Sequence, residues 1–302
     1  MLRSIQTEAM HVGDYGSLTV EPVAGSMGAR VRGLRLDRLS DAQFQDLQRA
    51  IHNFKAVMVL DQGAMEWEGY VRFGERFGEL AVDPFVDGGI QGFPEIMSLI
   101  KDADEGGYNF GGTWHTDGSY LERPGAYTIL WGREVPPFGG DTAFANLEMA
   151  YETLSEGLKQ TLLGLRVLHE TRGPKARTRL PRPGDYAVSF GVEDDDTDVI
   201  KALHPALRKH NHTGRTSLFI NPVYCIEFEG WSEEESRGLL RHLSEHALRP
   251  AFTARMRWEP GAVMIWDNRS TMHYAIGDYY GYRRAMYRLA VKGDAVLPAD
   301  PI

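Results

Sequence analysis

The sequence predicts a mainly β protein with flanking helices, a β-sandwich or jelly roll with the helices packed outside. Three observations predict it. Short strand-like runs separated by turn signals dominate the second half. Helical periodicity is confined to the start and two insertions, and no solenoid-period repeat or linker divides the 302 residues.

Taken in order, short strands are expected at Leu18–Val20 and Ala29–Val31. Ser40 then caps a helix whose apolar residues Phe44, Leu47, Ile51 and Phe54 recur on one face. Ala56–Leu60 reads as a buried strand, and a second helix runs from Trp67 to Phe77, stopped by Gly78. Residues 78–125, rich in Gly, Asp and aromatics, read as loops around a short strand, Ile96–Ile100. Ala126–Val135 is a strand ended by 136-PP-137, Ser155 caps a helix through Leu165, and Arg166–His169 returns to strand. A long excursion or lid is expected around 173–215, its acidic run a solvated surface. Beyond it come a strand at Thr216–Ile220 and a helix from the Ser232/Glu235 capping box to Arg249. Strands at Phe252–Trp258, Ala262–Trp266 and Arg284–Val291 complete a single domain over 1–302.

Composition narrows the function. A net charge of -9 argues against wrapping nucleic acid, which needs a surplus of Lys and Arg. An anionic substrate must then be captured by a few local arginines. The one cysteine, Cys225, makes no intrachain disulfide and no cysteine zinc site, and reads as a packing residue. With no apolar run of about 18 residues and no secretory-type start, a cytoplasmic protein without membrane contact is expected.

The chemistry centres on 114-WHTDGS-119. On an extended backbone His115 and Asp117, two residues apart, face the same side. A third ligand, His273 in 266-WDNRSTMHYA-275, would complete a facial triad of two His and one carboxylate, the donor set of non-haem Fe(II) oxygenases. His-x-Asp alone is expected roughly once per chain by chance, so the neighbouring motifs decide. Arg284 follows His273 by eleven residues, and a hairpin is expected to lay their strands side by side. Arg284, Met286 and Arg288 then share one face, with Ala285, Tyr287, Leu289 and Val291 packing on the other. A guanidinium fork matches a carboxylate. In 136-PPFGGDT-142, Gly139 and Gly140 permit a tight turn, and Thr142 starts a strand with its hydroxyl free to donate. His204 and His169 read as packing residues, and His210 and His212 as solvated loop histidines.

Together, 114-WHTD-117, 136-PPFGGDT-142, 204-HP-205 with 213-TGRTSLFIN-221, 257-RW-258, and 266-WDNRSTMH-273 with 284-RAMYR-288 resemble the taurine dioxygenase family of Fe(II)/2-oxoglutarate enzymes, including its alkylsulfatase and phenoxyalkanoate dioxygenase branches. The resemblance spans about residues 18–293. It implies a double-stranded β-helix with the metal inside one end and His115, Asp117 and His273 on the iron. It implies Thr142 and Arg284 on the distal carboxylate of 2-oxoglutarate, and Arg288 on the acid group of the substrate. The activity implied is oxidation of an unactivated C–H with O2 while 2-oxoglutarate is decarboxylated to succinate, in a homo-oligomer.

A substrate other than taurine is expected. Where the family's taurine binders carry a His after 77-FGE-79, this chain has Asp83, and where they carry an Asn four residues before the first ligand it has Gly111. The segment 221-NPVYCIEFEGW-231 is similar to the phenoxypropionate branch, with Tyr224 lining the pocket. A sulfonate, an aryloxy-carboxylate or a natural-product acid is expected. The competing readings are a metal-dependent hydrolase, which needs neither Arg284 nor Thr142, and a non-catalytic small-molecule-binding jelly roll. A halogenase of this fold would replace Asp117 with a small residue.

Overall fold

The computed structural model describes residues 15–63, 65–82, 89–105, 109–171 and 199–301. The chain begins with a β-hairpin, β1 (Thr19–Pro22) and β2 (Ala29–Arg32). Helix α1 (Asp41–Phe54) starts at Ser40, whose hydroxyl accepts from the Gln43 N–H while the Gln43 side chain accepts from the Ser40 N–H. Its predicted apolar stripe, Phe44, Leu47, Ile51 and Phe54, is buried throughout. Strand β3 (Ala56–Val59) is buried on both faces, and α2 (Trp67–Glu75) ends ahead of Gly78, whose φ is +145°. There follow β4 (Leu80–Ala81), β5 (Gly89–Ile90), β6 (Phe93–Lys101), β7 (Tyr127–Glu134), β8 (Thr142–Asn146), α3 (Leu147–Glu152), α4 (Glu156–Leu163) and β9 (Arg166–Glu170). The second half comprises β10 (Lys201–Pro205), β11 (Leu207–Lys209), β12 (Thr216–Leu218), β13 (Cys225–Phe228), α5 (Glu233–Ala247), β14 (Thr253–Met256), β15 (Val263–Asp267), β16 (Thr271–Ala275), β17 (Arg284–Val291) and β18 (Leu297–Pro298). The expected Ser232/Glu235 capping box opens α5.

These strands form a jelly roll. The large sheet runs β1-β2-β3-β15-β7-β17-β6-β5, with β4 also on β17, and a smaller sheet runs β14-β8-β16. Between the two lies an apolar layer of Met58, Leu130, Met264, Trp266 and Met286 from the large sheet with Phe144, Ala254 and Met256 from the small one. Helices α1 and α2 cover the outer face of the large sheet through Leu47, Phe54, Tyr70 and Phe73. Helices α3, α4 and α5 cover the small sheet through Met149, Leu162 and Leu243. Each buried aromatic or aliphatic side chain in these layers stabilises the fold by about 1.5–3 kcal/mol relative to exposure.

Two expectations change. His273 and Arg284 do not lie on a hairpin: β16 pairs with β8 in the small sheet, while β17 pairs with β6 and β7 in the large one. The residues between them cross the sandwich, so the two side chains approach from opposite sheets. His210 is not a solvated loop residue either. It is buried, and its Nε2 lies 2.8 Å from the Asp267 carboxylate, although His212 is exposed as expected. Of the excursion expected over 173–215, residues 172–198 lie outside the described residues, and 199–215 include β10 and β11, paired to β9, β12 and β18.

Asp267 ties down the turn between β15 and β16. Its carboxylate accepts from Arg269 Nε and NH2, both at 2.8 Å, and from the Arg269 backbone N–H at 3.0 Å, while its own N–H donates to the Lys55 carbonyl. Burial pushes this carboxyl up, but Arg269 and His210 together hold it well below the usual range. Beside it His52 Nε2 lies 2.7 Å from the Tyr127 hydroxyl, and the imidazole is lowered to about 4, chiefly by burial and partly offset by Asp267.

Asp267→Asn, which leaves the buried Arg269 cation without its carboxylate, is expected to cost about 3–5 kcal/mol in urea denaturation. The pH dependence of stability gives a second expectation. His52 is neutral in both states above its ordinary value of 6.5, and below that value the unfolded chain takes up the proton first. Stability is therefore lost as pH falls from 6.5 toward 4, by about 2–3 kcal/mol from this residue. His52→Gln should shrink the loss between pH 7 and 4 by that amount, and an unchanged slope would refute the assignment.

Candidate metal centre and adjoining arginines

Strand pairing brings the three predicted ligands together. His115 forms an isolated antiparallel bridge with His273 of β16, with His115 N–H to the His273 carbonyl at 3.0 Å and the reverse bond at 2.8 Å. Thr116 turns its hydroxyl to the Thr271 carbonyl at 2.9 Å, and a turn begins at Asp117, whose carboxylate lies against both imidazoles. One donor atom from each of His115, Asp117 and His273 lies within 4.8 Å of the others. Asp117 Oδ1 stands 3.3 Å from His115 Nε2 and 3.6 Å from His273 Nε2.

The donor chemistry fits a divalent metal. His115 Nδ1 lies 2.7 Å from the Thr113 carbonyl, so it donates there and turns Nε2 toward Asp117. Burial, with His115 beside it and Asp117 opposing, lowers His273 to about 3, so its imidazole is neutral. Burial raises the Asp117 carboxyl, yet Arg288, His273 and His115 outweigh it and hold the group well below the ordinary range. A neutral His273 imidazole and an ionised Asp117 carboxylate are protonation states that ligation needs, and His115 converges on them.

A second group of donors, His52, His210 and Asp267, comes equally close. It does not have free lone pairs. His210 Nδ1 accepts from the backbone N–H groups of His212 and Thr213 at 3.1 and 3.2 Å, so Nε2 holds the hydrogen given to Asp267. Asp267 is further engaged by Arg269.

Arg284 starts β17 with its side chain buried and its Nε without a hydrogen-bond partner among the described residues. Its cation sits over the rings of Trp258 and Tyr279, 5.9 and 5.7 Å from their centroids. Trp258 Nε1 donates to Thr142 Oγ1 at 3.1 Å, which leaves the Thr142 hydrogen free to donate elsewhere. The two glycines before this strand are required. Gly139 and Gly140 have φ of +72° and +66°. A Cβ at 139 would run into the Asp278 carbonyl, and one at 140 would press on Tyr279 and the Arg284 side chain.

Arg288, four residues on, brings NH2 to 3.2 Å from Asp117 Oδ2. Both line a cavity of about 160 Å³ walled by Met97, Tyr120, Leu121 and Val291. Tyr224 is buried with its ring edge-on to His115 at 6.3 Å and to Tyr120 at 5.0 Å. Gly111 lies against His115, where a Cβ would stand 3.4 Å from the imidazole. Asp83 lies outside the described residues. Sequence reasoning missed Thr128, whose hydroxyl donates to Asp117 Oδ2 at 2.6 Å, and Asn268, whose Nδ2 reaches that hydroxyl at 2.9 Å. Asn268 was visible within 266-WDNRSTMH-273; nothing marked Thr128 in its apolar strand.

Among known proteins, the model of the taurine catabolism dioxygenase TauD/TfdA family matches residues 19–290. An alkylsulfatase of Acinetobacter baylyi is 31% identical over 290 residues, covering 93% of this chain and 87% of its own. A (S)-phenoxypropionate/alpha-ketoglutarate-dioxygenase of Sphingobium herbicidovorans is 29% identical, covering 91% of this chain and 95% of its own. The crystal structure of a taurine dioxygenase from Burkholderia xenovorans superposes with a TM-score of 0.77 at 32% identity, covering 93% of this chain and 91% of the other. With the same fold, matching motifs and a buried two-histidine, one-carboxylate centre, the chain belongs to the TauD/TfdA family of Fe(II)- and 2-oxoglutarate-dependent dioxygenases.

Proposed function

We propose that the enzyme hydroxylates an unactivated C–H of a small organic acid with an apolar body, with conversion of 2-oxoglutarate and O2 to succinate and CO2. The observation that carries this reading is the convergence of His115, Asp117 and His273 within reach of one ion, in a sandwich that also buries Arg284 with its Nε unpartnered among the described residues. A hydrolase on the same donors would have no use for Arg284 or Thr142.

In this reading His115 Nε2, Asp117 Oδ1 and His273 Nε2 hold the iron. Bound there, Fe(II) supplies the activation of O2 that decarboxylation of 2-oxoglutarate drives. Arg284 and the Thr142 hydroxyl grip the distal carboxylate of 2-oxoglutarate, and burial strengthens that ion pair by removing competing water. Trp258 orients Thr142 by donating to its oxygen. Arg288 binds the acid group of the substrate at the inner end of the cavity it shares with Asp117. Met97, Leu121 and Val291 pack the apolar body and keep solvent from the reacting carbon. Tyr224 and Gly111 shape the surroundings of His115. Asp83, in place of a family histidine, belongs to the same substrate region on the family resemblance.

The substrate class spans sulfonates, sulfate esters, aryloxy acids and natural-product acids. The relatives named above are, by their names, an alkylsulfatase, a phenoxypropionate dioxygenase and a taurine dioxygenase, and a cavity with Arg288 at one end and largely apolar walls suits an acid with an apolar body. The same reading carries a cytoplasmic location and a homo-oligomeric assembly.

With Fe(II) and ascorbate, a substrate screen should reveal acids that accelerate release of succinate from 2-oxoglutarate. Asp117→Ala should lower that turnover by more than about a hundredfold, since changes outside the ligand set already cost about 10–100-fold. Undiminished turnover in this variant would end the proposal. Arg284→Gln should weaken 2-oxoglutarate binding by roughly 30-fold or more, the cost of unpairing a buried charge. Titration of the co-substrate under anaerobic conditions checks it, and an unaltered affinity would remove Arg284 from the role.

A further inference from the structure

Asp117 is held by a directed chain of buried hydrogen bonds that begins at an indole. Trp266 Nε1 lies 3.0 Å from Asn268 Oδ1, Asn268 Nδ2 lies 2.9 Å from Thr128 Oγ1, and Thr128 Oγ1 lies 2.6 Å from Asp117 Oδ2. Thr128, Asn268 and Trp266 are all at most 2% exposed. An indole N–H can only donate, so the amide oxygen of Asn268 must face it and the amide nitrogen must face Thr128. The Thr128 oxygen thereby accepts, and its own hydrogen goes to the carboxylate. Every link points toward Asp117, and such a chain strengthens its terminal bond. Register sets it up: Trp266 on β15 is the direct cross-strand partner of Thr128 on β7.

The two oxygens of Asp117 have different tasks as a result. Oδ1 faces His115 and His273, and Oδ2 is occupied by Thr128 and Arg288. The indole ring that starts the chain also packs on His273, with centroids 4.7 Å apart. One tryptophan therefore braces two of the three converging residues, by its N–H on one side and its face on the other.

We infer that Thr128 is a positioning residue that keeps Asp117 turned so that a single oxygen meets the metal, with Asn268 and Trp266 fixing its direction. The inference rests on His115, Asp117 and His273 being the ligands. Arg288 shares Oδ2 with Thr128; when Arg288 engages an acidic substrate, Thr128 still holds the carboxylate. Without the hydroxyl, the carboxylate can rotate and present both oxygens, which crowds the positions that 2-oxoglutarate and O2 need.

The test compares the wild type with Thr128→Val, Thr128→Ser, Trp266→Phe and Asp117→Ala. Two readouts are made without O2: the dissociation constant for Mn(II), and the visible charge-transfer absorption formed with Fe(II) and 2-oxoglutarate. Thr128→Val, nearly isosteric, should weaken Mn(II) binding by about 10–100-fold and shift the absorption band. Thr128→Ser should restore both. Trp266→Phe keeps an aromatic ring on the same side chain and removes the N–H together with part of the indole, so it should shift the band in the same direction by less. If Thr128→Val does not fold, the Trp266→Phe shift and normal behaviour of Thr128→Ser decide the matter. Wild-type affinity and spectrum in Thr128→Val, or an unmoved band in a folded Trp266→Phe, would overturn the inference. Equal Mn(II) binding by wild type and Asp117→Ala would instead show that the ligand assignment itself is wrong.

Discussion

Two reciprocal backbone hydrogen bonds join His115 to His273, and the site depends on them. They connect a segment that follows a glycine-rich loop to a strand of the small sheet, more than 150 residues further along the chain. Once that bridge is closed, the turn that starts at Asp117 leaves its carboxylate beside both imidazoles. The donor atoms converge because this bridge sets the segment carrying His115 and Asp117 against the strand carrying His273.

The remainder of the sandwich supplies what the bridge cannot. The large sheet carries Arg284 and Arg288 on one face of β17, opposite the histidine strand, so the cations meet the acidic centre across the interior rather than along a hairpin. The chain is acidic overall, at -9, while Arg288 sets a local positive field beside Asp117. In the proposed reading, capture of an anion is a property of the cavity and opposes the overall charge of the molecule. The turn that leads into β16 is fixed independently by Asp267, whose bonds to Arg269 and His210 hold Asn268 and His273 at either side of a rigid corner.

Much of this was legible in the sequence, for definable reasons. Helix α1 follows from the spacing of Phe44, Leu47, Ile51 and Phe54 with a capping serine, because local period and local hydrogen bonds determine it. The candidate ligands were legible only through their company, because His-x-Asp alone is expected roughly once per chain by chance and the ordered family motifs around it singled out His115, Asp117 and His273. The hairpin between His273 and Arg284 was misjudged because sequence distance does not tell a tight turn from a crossing between sheets. His210 looked solvated because its neighbours are polar, yet those neighbours form the turn whose N–H groups cap its ring. Thr128 was invisible: a threonine in an apolar strand acquires meaning only from Trp266 across the ladder and Asp117 above it.

The central claim is that one ion is held between these three side chains with the co-substrate pinned by the arginine beyond. A crystal structure with Mn(II) and 2-oxoglutarate, using the anomalous signal of the metal, tests it directly. The account predicts a single strong peak within bonding distance of His115 Nε2, Asp117 Oδ1 and His273 Nε2, with the far carboxylate of 2-oxoglutarate on Arg284 and Thr142. A peak between His52, His210 and Asp267 instead, or 2-oxoglutarate bound away from Arg284, would contradict it.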